Sequence, residues 1–235
     1  MKNSASLYLI PTPIGDRNAD TSLPLHTIET IHQIKHFLVE NIRTARRFLK
    51  SVQYPYDFEQ VWFYEVHEHN QLEVNSEWLK PLLQGHNTGL MSEAGIPCVA
   101  DPGHTVVRLA HEHQIRVVPL GGQSSIFMAL MSSGLNGQQF TFHGYLPVKI
   151  EILRQELKKI EQAARKGYSQ IFIETPYRNQ RLLEVILTSC LQDTMLCIAS
   201  GIDTKSQNIQ TRSIHEWKTS AINLKGLPCV FILGI

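Results

Sequence analysis

The chain has 235 residues, 43% of them apolar and 18% charged, with a formal net charge of +1. That length allows one large domain or two small ones, each with a real core, and the balance is that of a soluble globular protein. A strongly basic nucleic-acid binder is excluded, so a nucleic-acid substrate would need a local cationic patch.

In chain order, Leu7-Tyr8-Leu9-Ile10 reads as a buried strand ending at Pro11-Thr12-Pro13-Ile14-Gly15. Pro24 suits a helix N-terminus, and Leu25, Ile28, Ile31 and Ile34 recur at helical spacing. Phe37-Leu38-Val39 is a second strand ending in Glu40, and residues 44–50 form a short basic helix. Residues 61–66 are a third strand, 76–84 a helix and 88–91 a fourth strand. After a helix at 104–113, residues 116–120 make a fifth strand that runs into Gly121-Gly122-Gln123-Ser124-Ser125 and an apolar helix through Ser133. Short apolar runs alternating with helices predict an α/β fold with a mostly parallel sheet.

Around Gly134-Leu135-Asn136-Gly137 the pattern changes. Strands are predicted at 141–145, 171–173, 195–200 and 229–233, and helices at 150–166 and 178–190. Residues 209–214 are polar enough for an edge strand. The change predicts two domains, 1–135 and 136–235.

No apolar run approaches the roughly 18 residues that cross a bilayer. Met1–Ile10, with a single Lys ahead of its apolar stretch, is too short for a signal peptide. Cys98, Cys190, Cys197 and Cys229 form no CxxC pair and no zinc-like spacing, so they read as reduced thiols. The expectation is a cytoplasmic protein without a membrane partner.

The feature richest in chemistry is Leu90-Met91-Ser92-Glu93-Ala94-Gly95-Ile96-Pro97, running on to Ala100-Asp101-Pro102-Gly103. An apolar strand stops at a small polar residue and a carboxylate, then meets glycines and prolines before a helix. Open α/β sheets build ligand sites in this way, at the carboxyl ends of their strands. The loops 11–15 and 121–125 have the same character, and three such loops at one sheet edge predict a small-molecule site. There is no GxGxxG, no GxxxxGK[ST] and no Gly-x-Ser-x-Gly, which argues against NAD, ATP and serine-hydrolase chemistry. His67-Glu68-His69 and His111-Glu112-His113 look superficially metal-like; the latter pair sits on a predicted helix, where i and i+2 point apart, there is no HExxH, and no metal is expected.

Glu40 and Glu174 each end a strand. They read equally as site carboxylates or as acids placed at helix starts, where an ion pair or the helix dipole favours them. Arg43, Arg46, Arg47 and Lys50 are either a solvated face or the best nucleic-acid patch near the loops.

Taken in order, these loops resemble the tetrapyrrole methylase family. The resemblance rests on Pro11–Gly15, Val39-Glu40-Asn41-Ile42-Arg43, Ser92–Gly103, Val117–Gly121 with Ser124, Gly144–Lys149 and Glu174–Arg178. It spans essentially the whole chain, and the proline-bearing first loop is most similar to the branch that methylates a cytidine ribose 2′-hydroxyl in 16S ribosomal RNA. The resemblance implies two α/β domains with S-adenosylmethionine in the cleft between them, and a homodimer. Carried over, the cofactor would meet Ile14, Ser92, Glu93, Gly95, Ile96, Ser124 and Ser125, with Leu146 and Ile173 from the second domain. Asn41-Ile42 stands where that branch has an Asp-Thr pair.

A ribose hydroxyl benefits from a general base, for which Glu40, Lys149 and Glu174 are the candidates. Arg43, Arg46 and Arg47 are the candidate substrate contacts. Three readings stay open: methylation of ribosomal RNA, methylation of a small anionic tetrapyrrole, and a catalytically silent relative that binds the cofactor.

Overall fold

The computed structural model describes residues 5–16, 22–66 and 76–235. The chain separates into two units that divide between Ser124 and Ser125. The pattern changes near residue 134, but the helix before that change packs on strands that follow it and so belongs with the second unit.

In the first unit, β1 (Ser6–Ile10), β2 (His36–Val39), β3 (Trp62–Glu65), β4 (Thr88–Met91) and β5 (Arg116–Pro119) form a parallel sheet in the order β3-β2-β4-β1-β5. Alternation sends Phe37 and Val39 to one face and Leu38 to the other. The first face meets Ile31, Ile34 and Leu49, and the second meets Leu79, Leu82, Val106 and Leu109. The helices between strands are α1 (Leu25–Ile31), α2 (Ile42–Ser51), α3 (Lys80–Leu83) and α4 (His104–Glu112). A sheet covered on both faces is what the near-continuous apolar strands require.

Residues 76–84, expected to be one helix, form a 3-10 turn at Ser76–Leu79 and then the single-turn α3. Pro81 is the cause. It lacks an N–H, and in a continuous helix its ring would clash with the carbonyl four residues back.

The second unit holds α5 (Ser125–Ser133), β6 (Phe140–Tyr145), α6 (Ile150–Ala164), β7 (Ser169–Glu174), α7 (Asn179–Ser189), β8 (Met195–Ser200), β9 (Asn208–Ser213), α8 (Ile214–Lys218) and β10 (Cys229–Gly234). Its sheet runs β6-β7-β10-β8-β9. The β6–β7 pair is parallel, and the three pairings from β7 through β9 are antiparallel. β9 is the polar edge strand that the sequence suggested. It stops at Ser213, where the Ser213 hydroxyl and the Glu216 carboxylate close a capping box and α8 begins.

One face of this sheet packs on Leu153 and Leu157 of α6, Leu183 and Ile186 of α7 and Trp217 of α8, with Phe172 and Phe231 stacked 5.8 Å apart beneath them. The α5 helix contacts β8, β9 and β10. Glu161 is a buried carboxylate on α6. Its Oε1 accepts from the Leu191 N–H at 2.7 Å and the Thr194 hydroxyl at 2.5 Å, pinning the turn between α7 and β8.

Candidate functional site

The register of the first sheet brings its carboxyl ends level. Ile10 and Val39 both pair with Met91, Val39 pairs with Glu65, and the Leu120 N–H bonds to the Leu9 carbonyl at 3.0 Å. The loops after β1, β4 and β5 therefore leave from one edge, and they are fastened to each other there.

Thr12 and Gly95 form an isolated antiparallel bridge, with N···O distances of 2.9 and 3.0 Å. The Thr12 hydroxyl also donates to the Ser92 carbonyl at 3.4 Å, and the Ile14 N–H points at Gln123 Oε1 at 3.5 Å. A side chain at Gly122 would overlap the Pro11 ring, so glycine lets the first and fifth strand ends press together. Glu93 Oε1 accepts from the Thr44 hydroxyl at 3.1 Å, which ties the fourth strand's loop to the first turn of α2.

The 92–103 loop holds four residues in left-handed conformations: Gly95, Cys98, Ala100 and Gly103. Two are not glycine, and such strain persists only where surrounding contacts impose it. Burial, and secondarily the Asp101 carboxylate, push the Cys98 thiol up to about 11. It stays protonated near neutral pH, when a nucleophile would need the thiolate. The Ser92 hydroxyl, next after β4, is buried without a partner among the described residues.

Asn41 caps α2 by accepting from the N–H groups of Arg43 at 2.9 Å and Thr44 at 3.3 Å. An amide thus fills the cap position without adding charge. Arg43, Arg46, Arg47 and Lys50 recur at i, i+3, i+4 and i+7 along one stripe of α2, and none forms an ion pair among the described residues. They line an open hollow of about 670 Å³ together with Asn41, Ile42 and Glu65. The Arg46 guanidinium lies over Phe58 and Phe63 at 5.5 and 5.3 Å, so the rings preorganise the cation.

The sequence-predicted residues thus fall into groups. Ile14, Ser92, Glu93, Gly95 and Ile96 lie on the stapled loops, and Ser124 is the buried end of the fifth strand's loop. Glu40 follows β2 at the same edge, immediately before α2. In the second unit, Ser125 opens α5, and Leu146 is buried in the core. Ile173 lies on β7, and Lys149 is exposed ahead of α6. Glu174 is nearly buried, with one oxygen taken by Arg178 and the other by the Thr175 N–H at 2.7 Å. Both oxygens serve the start of α7. Thr44, which completes the fastening, carried no sequence signal of its own, whereas Gln123 lies within the 121–125 loop that the sequence singled out.

His67 and His69 lie outside the described residues. Among those described, no group of three or more His, Cys, Asp or Glu could hold a metal ion, and no helix is long and apolar enough to cross a membrane. The four cysteines form no disulfide.

No protein-family model matches the chain. Curated relatives do. Ribosomal RNA small subunit methyltransferase I of Streptococcus pyogenes serotype M3 is 31% identical over 235 residues, covering 99% of this chain and 77% of that protein. The Escherichia coli O157:H7 protein of the same name is 32% identical over 214 residues, covering 91% of this chain and 71% of its own, and that of Haemophilus influenzae is 30% identical over 216 residues, covering 90% and 72%. The crystal structure of the methyltransferase CobJ superposes with a TM-score of 0.62 at 16% identity, over 98% of this chain and 94% of that one, so the two share a fold. With relatives this similar along nearly its whole length, and a fold held in common with a methyltransferase, the chain belongs to the ribosomal RNA small subunit methyltransferase I family of tetrapyrrole methylases.

Proposed function

We propose that the protein transfers the methyl group of S-adenosylmethionine to a ribose 2′-hydroxyl of ribosomal RNA. The observation that carries the reading is the juxtaposition of the stapled loops with the cations of α2, which form no ion pair among the described residues, at one end of the first sheet. Bound there, the cofactor supplies an electrophilic methyl on a sulfonium. Transfer is an in-line displacement, so the protein's part is to aim the hydroxyl and exclude water.

The residues present fit a nucleoside with a charged amino-acid tail. Ser92 offers a buried hydroxyl that has no partner among the described residues, and the Gly95 and Gly122 backbones permit close approach. Of the three candidate bases, Glu174 has both oxygens engaged at the start of α7, and Glu40 follows β2 at the loop edge, two residues before α2. We assign Glu40 the proton and Glu174 a positioning role at the start of α7. The shares of Ser125, Leu146, Ile173 and Lys149 rest on the resemblance. The homodimer that it implies draws support from exposed Phe127, Met131 and Phe140 in the second unit, and sedimentation of the purified protein tests it.

The direct test is incubation of small ribosomal subunits lacking the modification with labelled cofactor, followed by mapping of the label. Label on a ribose of the small-subunit RNA is expected. Label on a base, or none in the presence of bound cofactor, would refute the assignment.

Two variants dissect the site. Glu93→Ala removes the Thr44 hydrogen bond and a carboxylate placed to accept from the cofactor. A hydrogen bond to a charged group is worth about 1.5–3 kcal/mol, so titration calorimetry should find binding weakened roughly ten- to a hundredfold. A loss below threefold makes Glu93 a solvated loop acid. An Arg46/Arg47 double substitution to Ala should leave cofactor affinity unchanged, weaken RNA binding and reduce the salt dependence by roughly two counterion units. A small tetrapyrrole would show a shallow slope from the outset.

A further inference from the structure

At the opposite, amino-terminal edge of the first sheet, three rings lie in a row across three neighbouring strands. His36 opens β2, Trp62 opens β3, and His86 precedes β4 by two residues. The Trp62 and His36 rings are 4.7 Å apart and within 9° of parallel, and His36 and His86 are 4.8 Å apart at 21°. Tyr64 lies 6.5 Å from His36 at 14°. The order follows from the register, because His36 pairs with Trp62 on one side and Thr88 on the other.

A stack placed only to close a core would be covered, and this one is not. Trp62 is 51% exposed, whereas Trp78 and Trp217 are 5% and 2% exposed. His36 occupies one face of the indole, so the exposure belongs to the other face and the rim. The His36 Nδ1 is buried without a hydrogen-bond partner among the described residues. Beside the rings is a hollow of about 570 Å³ whose other walls include Lys35, Gln84 and Asn87, and among the described residues no carboxylate lines it. Burial, with the nearby His86 second, holds the His36 imidazole below the usual histidine range, so the middle ring is neutral at neutral pH.

We propose that this edge is a stacking site for an unpaired nucleobase of single-stranded RNA, with the open indole face continuing the row and Lys35, whose ammonium rests 4.0 Å over the Tyr56 ring, as the cation of the lining available to the phosphate. Amide and imidazole groups around the hollow supply hydrogen bonds to a base edge, and a lining without acids among the described residues suits a polyanion. The site rests on the RNA reading above and adds a second contact to it. Tyr64, which shares a face of β3 with Trp62, packs with Leu38 on the α3 and α4 side, whereas Arg46 lies over Phe63 on the other side of β3. The stack therefore meets a different part of the RNA from the α2 cations.

The test uses the whole protein with fluorescently labelled oligoadenylate and oligouridylate decamers. Of the three tryptophans, Trp62 alone is exposed, so saturable quenching of intrinsic emission is expected on titration with the unlabelled decamers. Trp62→Ala should lower decamer affinity roughly tenfold with an unchanged salt slope, because stacking releases few counterions, and Trp62→Phe should recover most of the loss. Thermal melting of both variants guards against a folding defect. Equal affinity of Trp62→Ala and the parent protein overturns the stacking site even if RNA binds through α2, and so does an absence of quenching. Failure of the ribosomal-RNA reading registers separately, as no methyl transfer to small subunits by the parent protein.

Discussion

Replacing Gly95 with leucine is expected to abolish binding of S-adenosylmethionine, by more than a hundredfold, while leaving the protein folded. Gly95 sits at φ +81°, where a side chain costs about 1–2 kcal/mol. Its Cβ would lie 3.3 Å from the Ile14 side chain and 3.7 Å from the Gln123 carbonyl. The rest of a leucine would extend among the three loops whose mutual fastening depends on the Thr12–Gly95 bridge. The backbone cost is small against a domain's stability, but the displacement falls where the cofactor is proposed to rest. Calorimetric titration and a melting curve distinguish the two effects. An affinity within threefold of the parent would remove the fourth strand's loop from the site.

The largest loss of stability is expected from Glu161→Ala. The carboxylate is buried and satisfies two donors from the turn between α7 and β8, the Leu191 N–H and the Thr194 hydroxyl. Truncation strands both donors and opens a void in α6 packing. Together these should cost about 3 kcal/mol or more. Denaturant unfolding followed by the Trp217 signal reads the second unit, because that indole is buried and donates to the Leu196 carbonyl at 2.8 Å. Glu161→Gln keeps one acceptor oxygen and should recover part of the loss. A change below 1 kcal/mol in Glu161→Ala would mean that water replaces the carboxylate.

The strands of the first unit were readable because each is a compact apolar run bounded by punctuation. Thr88–Met91 was located to the residue, and the three glycine- and proline-rich loops that followed strands proved to leave one edge. The order β3-β2-β4-β1-β5 was not readable, since pairing is settled by packing on both faces rather than by any local signal. In the second unit, the start of α8 was missed although Ser213 and Glu216 carry the capping-box spacing, because the β-favourable Ile209–Ile214 run overlapped it. Part of the site was readable as well. Glu93 and Gly95 were singled out, as were the loops that hold Thr12 and Gln123, but Thr44, which anchors Glu93, is an ordinary residue far away in sequence. The row of His36, Trp62 and His86 was invisible for the same reason, since rings drawn from three strands meet only once the register is set.

The position of β10 bears on how the second unit comes into being during protein synthesis. This strand lies between β7 and β8 and is antiparallel to both, yet it is made after every other strand of its sheet. The first unit has all its strands once Pro119 has left the ribosome. In the second, the pairs β6–β7 and β8–β9 each keep one open hydrogen-bonding edge until residues 229–234 emerge to join them. A nascent chain at that stage carries two separate ribbons with apolar faces and no completed sheet, the condition in which β-structured intermediates are most prone to associate. Proteostasis of this enzyme therefore hinges on the interval between translation of β7 and translation of β10. A chain interrupted in that interval carries a finished first unit tethered to an aggregation-prone remainder.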